Sequence, residues 1–179
     1  MKFVGQNIYI RQMELSDAAA LLGLQIRNKE FFQTYTPMRI EGFYTIEGQV
    51  KVIEANIAQS ESDSRYSFGI FFNETDELIG NVTLSEILRG PLQSCYIGYY
   101  MDQQHNGKGY MTEAVILAVD FAFKELELHR IEAGVMPHNI KSMKVLEKAG
   151  FHKEGIAIRN VKINGKWEDH QVLAIVGAD

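Results

Sequence analysis

Apolar residues fall along this chain in two rhythms, and the switches between them mark out its elements. The run at 7–11, Asn-Ile-Tyr-Ile-Arg, reads as a first strand. Ala19, Leu22 and Ile26 then recur at helical spacing behind Ser16, a residue suited to capping, and predict a helix over 16–28. A passage rich in Gly, Pro and Thr at 34–42 predicts a loop, after which Thr45 can cap a second helix to residue 59. Strand-like runs occupy 65–72 and 78–85, joined by a turn at 73–76, and a further strand covers 93–101. A long apolar helix is predicted at 107–126, then a strand at 130–136 and a helix at 139–149. Asn164-Gly165, the strongest short hairpin signal in the chain, joins strands at 152–163 and 167–176. The order β-αα-βββ-α-β-α-ββ predicts a mixed α/β sheet, with one domain over 1–179.

Candidate chemistry concentrates where the fourth predicted strand meets the third predicted helix. There the chain reads Gln104-His105-Asn106-Gly107-Lys108-Gly109, followed by Tyr110 and the apolar helix. A strand, a glycine loop and a helix N-terminus together suit a pyrophosphate: the glycines bring backbone N–H groups close, and the helix dipole favours the anion. Two familiar phosphate loops are excluded. The dinucleotide fingerprint needs a third glycine where Thr112 stands, and a P-loop needs Ser or Thr where Gly109 stands.

Downstream, Met136-Pro137-His138-Asn139 opens a helix that carries Ser142 and closes on Gly150-Phe151. With the Gln-x-x-Gly-x-Gly loop, these motifs resemble the GCN5-related N-acetyltransferase (GNAT) superfamily. Leu88-Arg89-Gly90, Cys95-Tyr96-Ile97-Gly98-Tyr99, His129-Arg130-Ile131, Lys153-Glu154-Gly155 and Gly165-Lys166-Trp167-Glu168-Asp169-His170 resemble its Rim-type branch, the RimJ-like ribosomal-protein-alanine N-acetyltransferases. The match is dense from about Ser85 onward and thin before it. The resemblance implies a mostly antiparallel sheet in which predicted strands 4 and 5 run parallel and splay around acetyl-coenzyme A, the acetyl donor. It also implies a bulge in strand 4, for which Gly98 is the suited position.

The same resemblance assigns cofactor contacts to Tyr99, Tyr100, Met101, Gln104, His105, Asn106, Gly107, Lys108, Gly109, Tyr110 and Asn139. Asn139 is also a favoured helix cap, and the two roles are compatible. Many relatives place a proton-donating tyrosine where this chain has Leu146, which cannot supply a proton. Rim-type enzymes have serine at the Ser142 position, so Ser142, with Asn139 beside it, is the catalytic candidate. A thiol with a pKa of about 8.5 leaves readily, so a weak acid suffices. The glutamate that often serves as base is replaced by Tyr96. Tyr96, His138, Glu86 and Glu132 remain as base candidates, each with a structural role as the blander alternative. Cys95, on a strand without a basic partner, is rejected as a nucleophile. The oxyanion is expected on backbone N–H groups near 99–101. For the acceptor site the resemblance points to Phe31, Tyr35, Tyr96 and Trp167, though aromatics in such number are usually core.

Composition narrows the setting. The 179 residues suit one domain with a proper core, and no apolar run is long enough to span a bilayer. No signal-peptide core is present at the N-terminus, and the single cysteine suits a cytoplasmic protein without disulfides. Scattered histidines offer no metal-ligand spacing, so no metal is expected. The net charge of −5 argues against a nucleic-acid surface, and the six acids against three bases between 28 and 63 would suit a cationic acceptor. The expected reaction is acetyl transfer to a primary amine: the N-terminus of a ribosomal protein, or a small amine such as a polyamine, amino acid or antibiotic. A non-catalytic coenzyme A-binding docking module is the third alternative. A homodimer is left open.

Overall fold

The computed structural model describes residues 1–178. Strands β1 (Lys2–Val4), β2 (Ile8–Gln12), β3 (Arg65–Phe72), β4 (Leu78–Leu88), β5 (Ser94–Met101), β6 (Arg130–Val135), β7 (His152–Ile163) and β8 (Lys166–Val176) form one sheet in the order β1-β2-β3-β4-β5-β6-β8-β7. Every neighbouring pair is antiparallel except β5 and β6. Helices α1 (Ala18–Arg27), α2 (Lys29–Gln33) and α3 (Ile46–Glu61) precede β3, α4 (Tyr110–Lys124) links β5 to β6, and α5 (Ile140–Lys148) links β6 to β7. No helix is long and apolar enough to cross a membrane among the described residues.

Two apolar cores sit on opposite faces of the sheet because strand side chains alternate. Ile8, Ile10, Phe68, Ile70 and Leu84 pack with Ala114, Ala118 and Ala122 of α4 and with Met143 and Leu146 of α5. Tyr9, Phe71 and Leu78 face the other way, against Leu21, Leu24, Phe32 and Ile53 of the first three helices. Leu84 is fully buried at the centre of the larger core. Leu84→Ala should lower the free energy of unfolding by about 2–5 kcal/mol, read from the urea midpoint. A loss below about 1 kcal/mol would mean that the neighbours collapse into the vacated space.

The structure departs from the sequence expectation in four places. A first strand, β1, pairs with β2 ahead of the predicted start; at three residues it is too short to show a period. Beyond α1 the chain makes the extra turn α2 instead of entering the loop directly, with Asn28 closing one helix and opening the next. Ser16 does not cap α1. The entry is a 3-10 turn over Leu15–Asp17 in which Asp17 accepts a bond from the Glu14 N–H at 2.7 Å. The irregularity expected at Gly98 lies instead on the partner strand: Gly98 pairs with Thr83 in register, and β4 slips between Ser85 and Leu88, where Glu86 has φ 52°. Glu86, near the end of β4, accommodates that backbone more readily than Gly98, which is held mid-strand on its β4 ladder.

Candidate functional site

Only three residue pairs join β5 to β6: Ser94 with Arg130, Cys95 with Ile131, and Tyr96 with Glu132. Beyond them β5 stays on β4 as far as Met101, while β6 stays on β8 as far as Val135. The two strands must part because β5 feeds the loop before α4 and β6 the turn before α5. Backbone groups on the facing edges are thereby left without a ladder partner. A cavity of about 230 Å³ occupies the gap, lined by Tyr35, Gly98, Tyr99, Met136, Asn139, Ser142, Leu146 and His170, among others.

At the end of β5 the chain enters the glycine loop, and α1 anchors its base. Asp102, buried at 3% exposure, accepts bonds from Arg27 Nη2 at 2.9 Å and from Gln104 Nε2 at 3.2 Å, and Asn28 Oδ1 accepts the Gln103 N–H at 2.9 Å. Burial would raise the Asp102 carboxyl, but the bonds from Arg27, the Gln104 amide and Asn28, with the charge of Arg27, hold it below the usual range. Gly107 and Gly109 have φ of 77° and 86°, the left-handed region that favours glycine. The His105 and Asn106 amides bond back into the loop, whereas those from Gly107 to Thr112 bond nothing among the described residues. A row of N–H donors at the start of α4 is the arrangement that holds a phosphate. The His105 and Tyr110 rings both pack edge-on against Phe72, at 5.0 and 5.1 Å, so these two residues offer backbone rather than side chain. Glu113, in the first turn of α4, accepts the Asn7 N–H at 2.8 Å and so fastens that helix to β2.

Across the gap, Asn139 caps α5 by accepting the Ser142 N–H at 3.3 Å. Ser142 Oγ lies 2.8 Å from the Tyr99 hydroxyl, which is also 3.1 Å from the Ser142 carbonyl oxygen. Burial pushes the Tyr99 phenol up to about 12, against the opposing bond from Ser142, so it is a neutral donor. The sequence expectation made Tyr99 a cofactor contact and placed it near the oxyanion amides; the meeting of its side chain with Ser142 depends on a contact 43 positions apart in the chain. Leu146 is fully buried. Burial also lifts the Cys95 thiol to about 12, so it is no nucleophile at neutral pH.

Other expected residues are scattered. The side chains of Tyr100 and Met101 are turned away from the gap: the Tyr100 ring packs at a tilt against Phe32 at 4.9 Å and Met101 is buried in the larger core. Tyr35 lines the gap and stacks on His138 at 6.3 Å; Tyr96, 42% exposed, stands at its closed end. Phe31 packs against the smaller core and Trp167 projects from the β7–β8 hairpin, neither of them lining the gap. Glu132 is paired with Arg130 at 2.9 Å, and Glu86 is exposed at the β4 bulge. His170, not among the expected site residues, is buried at 6% exposure and lines the gap over Gly134. Its Nδ1 lies 2.8 Å from Asn160 Oδ1 and 3.2 Å from the Glu168 carbonyl. Both partners are acceptors, so Nδ1 carries the proton and Nε2 keeps a lone pair in the neutral ring.

Comparison with known proteins bears on the same surface. The family pattern described as an acetyltransferase (GNAT) domain matches residues 7–152. The chain is 59% identical to the probable N-acetyltransferase YjcK of Bacillus subtilis over 98% of this chain and 97% of that one. The crystal structure of the ribosomal-protein-S5-alanine acetyltransferase from Vibrio fischeri superposes with a TM-score of 0.93 at 33% identity, covering 100% of this chain and 98% of that one. Mycobacterium smegmatis RimJ, solved in complex with a coenzyme A disulfide, superposes with a TM-score of 0.88 at 28% identity, covering 95% and 82%.

Proposed function

The chain belongs to the GNAT acetyltransferase family, and on that premise we propose that it moves the acetyl group of acetyl-coenzyme A to the N-terminal α-amine of a ribosomal protein. The observation that carries this reading is the junction of two features. An unpaired gap between β5 and β6 runs directly into the unengaged amides at the start of α4. A ligand with a long amide-bearing arm and a pyrophosphate fits both at once. In this reading the amides of 107–112 take the pyrophosphate, with Gln104, His105 and Asn106 shaping the loop and the exposed Lys108 adding charge. The facing edge of β5 at Tyr99, Tyr100 and Met101, with the Asn139 carboxamide, takes the arm.

Transfer is direct, within a ternary complex. The amine nitrogen bonds to the thioester carbon, the tetrahedral oxyanion rests on β5 amides, and the C–S bond then breaks. Ser142 Oγ–H, 2.8 Å from the Tyr99 hydroxyl, supplies the proton to the departing sulfur and is reprotonated, through water, by the proton that the amine nitrogen sheds as the amide forms. His170 Nε2, on the acceptor side, takes the proton from the incoming ammonium, directly or through water. An α-amine of pKa about 8 is already roughly one-tenth neutral at pH 7, so this help is worth about tenfold and no more. His170→Gln should therefore lower kcat/KM about tenfold at pH 7, and the deficit should close above about pH 8, where the amine is neutral unaided. A deficit of constant size across the pH profile would remove His170 from proton transfer.

The acceptor is tested by intact-mass spectrometry of ribosomal proteins from a strain lacking the enzyme, after incubation with the purified protein and acetyl-coenzyme A. An increment of one acetyl group, mapped to an N-terminal peptide, supports the reading. No increment, with cofactor binding verified in the same sample, overturns the ribosomal acceptor and leaves a small amine or a non-catalytic docking module.

A further inference from the structure

A second polar cluster lies on the face of the sheet covered by α1 and α3. Strand register sets Arg65, Ser85 and Tyr96 in one row, Ser67, Thr83 and Gly98 in the next, and Gly69, Asn81 and Tyr100 in the third. The middle of this patch is self-contained. Asn81 Nδ2 donates to Ser67 Oγ at 2.9 Å and Thr83 Oγ1 to Asn81 Oδ1 at 2.8 Å, all three residues being buried. Its flanks are not. Arg65 Nε is buried without a hydrogen-bond partner, and no carboxylate stands near enough to act on the guanidinium; Tyr100 is its one ionisable neighbour. Arg39, on the loop after α2, stacks over Phe43 at 4.5 Å rather than on an acid, and it too lies within electrostatic reach of Tyr100. By contrast Arg11, Arg27, Arg89 and Arg130 each hold a carboxylate.

The Tyr100 hydroxyl oxygen already accepts a bond from Gln25 Nε2 at 3.0 Å, so its own proton has no acceptor in the protein. The half-buried Arg65 and the exposed Arg39 thus both lie within electrostatic reach of one hydroxyl, with no carboxylate paired to either. Leaving a partly buried cation unpaired is costly, and a carboxylate is the planar anion that guanidinium forks match. Gly98 provides the approach: a Cβ there would meet nothing within 4 Å, and the residue lines the reaction gap.

We propose that Arg65, Arg39 and Tyr100 form the binding site for a carboxylate carried by the acceptor, and so select an acidic side chain close to the acetylated amine. The proposal rests on the peptide reading given above. Adjacent rows on one face lie about 7 Å apart, a span that an extended peptide covers in about two residues. The acid therefore falls at about the second to fourth residue of the acceptor.

The test uses the purified protein, acetyl-coenzyme A and synthetic peptides beginning with alanine, each with one Glu at position 2, 3, 4 or 5 beside its Gln twin. The expected result is a preference for Glu over Gln of about ten- to hundredfold in kcat/KM at one position or two adjacent ones, the size expected of charge-assisted bonds. Arg65→Met, which keeps the stem and removes the fork, should bring that ratio toward one, and Arg39→Gln should reduce it. A ratio near one at every position in the unaltered protein overturns the proposal without need of any variant. So does a preference that survives in the Arg39→Gln, Arg65→Met double variant. Failure of the peptide reading looks different: no peptide of either series is acetylated, while a small amine is. The site is then scored on amino acids against their amides, and equal rates there overturn it as well.

Discussion

Replacing Gly109 by valine should weaken acetyl-coenzyme A binding at least about a hundredfold by calorimetry while leaving the melting temperature nearly unchanged. Nothing lies within 4 Å of where a Cβ at this position would stand, so the defect will not come from a clash. It will come from the backbone. Gly109 holds φ 86° as the residue before α4, a conformation that costs a β-branched side chain on the order of 1–2 kcal/mol. Valine relieves that strain by swinging its peptide toward negative φ, and the row of amides from Gly107 to Thr112 then no longer converges. A single amide turned away from a phosphate forfeits a charge-assisted bond, and several move together here. The loop is exposed and outside both cores, which is why global stability should hardly register the change. Unchanged affinity would remove the loop from cofactor binding.

The second large effect concerns turnover. Ser142→Ala should reduce kcat about a hundredfold with the dissociation constant for acetyl-coenzyme A within about twofold of the unaltered protein. The hydroxyl is 2.8 Å from the Tyr99 phenol, and alanine keeps the α5 backbone that Asn139 caps. A loss confined to kcat is the sign of an interaction made only as the C–S bond breaks. Unaltered kcat would eliminate serine as the proton source. A parallel rise in the dissociation constant would instead make it a binding contact.

How far these features were legible in the sequence depends on whether they are local. The bounds of β3 follow from a self-contained apolar run, and Asn164-Gly165 forms its hairpin because both residues tolerate positive φ. The glycine loop and the capping Asn139 are likewise short-range signals, readable from six or seven neighbouring residues. What escaped is set by pairing between distant segments. The strand β1 exists only because β2 offers an edge, and Tyr99 gains its partner only when α5 is laid against β5. His170 reads as one more polar residue in an exposed hairpin until β8 takes its place beside β6 and turns the ring over Gly134. Arg65 and Arg39 resemble ordinary surface cations, and their lack of a counter-charge is visible only once every other arginine–carboxylate pair has been placed.

The three-residue seam between β5 and β6 has a consequence for the life of the protein as a whole. It makes the sheet two sheets, β1 to β5 and β6 to β8, stitched by a single short ladder and by the helices that cross it. A donor molecule lying in the gap would complete the missing stitches and tie the halves together. Binding to the folded state alone adds RT ln(1 + [L]/Kd), about 2.7 kcal/mol when the ligand stands at a hundred times its dissociation constant. The halves would then loosen when acetyl-coenzyme A is scarce and lock when it is plentiful. Resistance to proteolysis, and with it the standing amount of enzyme, would follow the supply of its own donor.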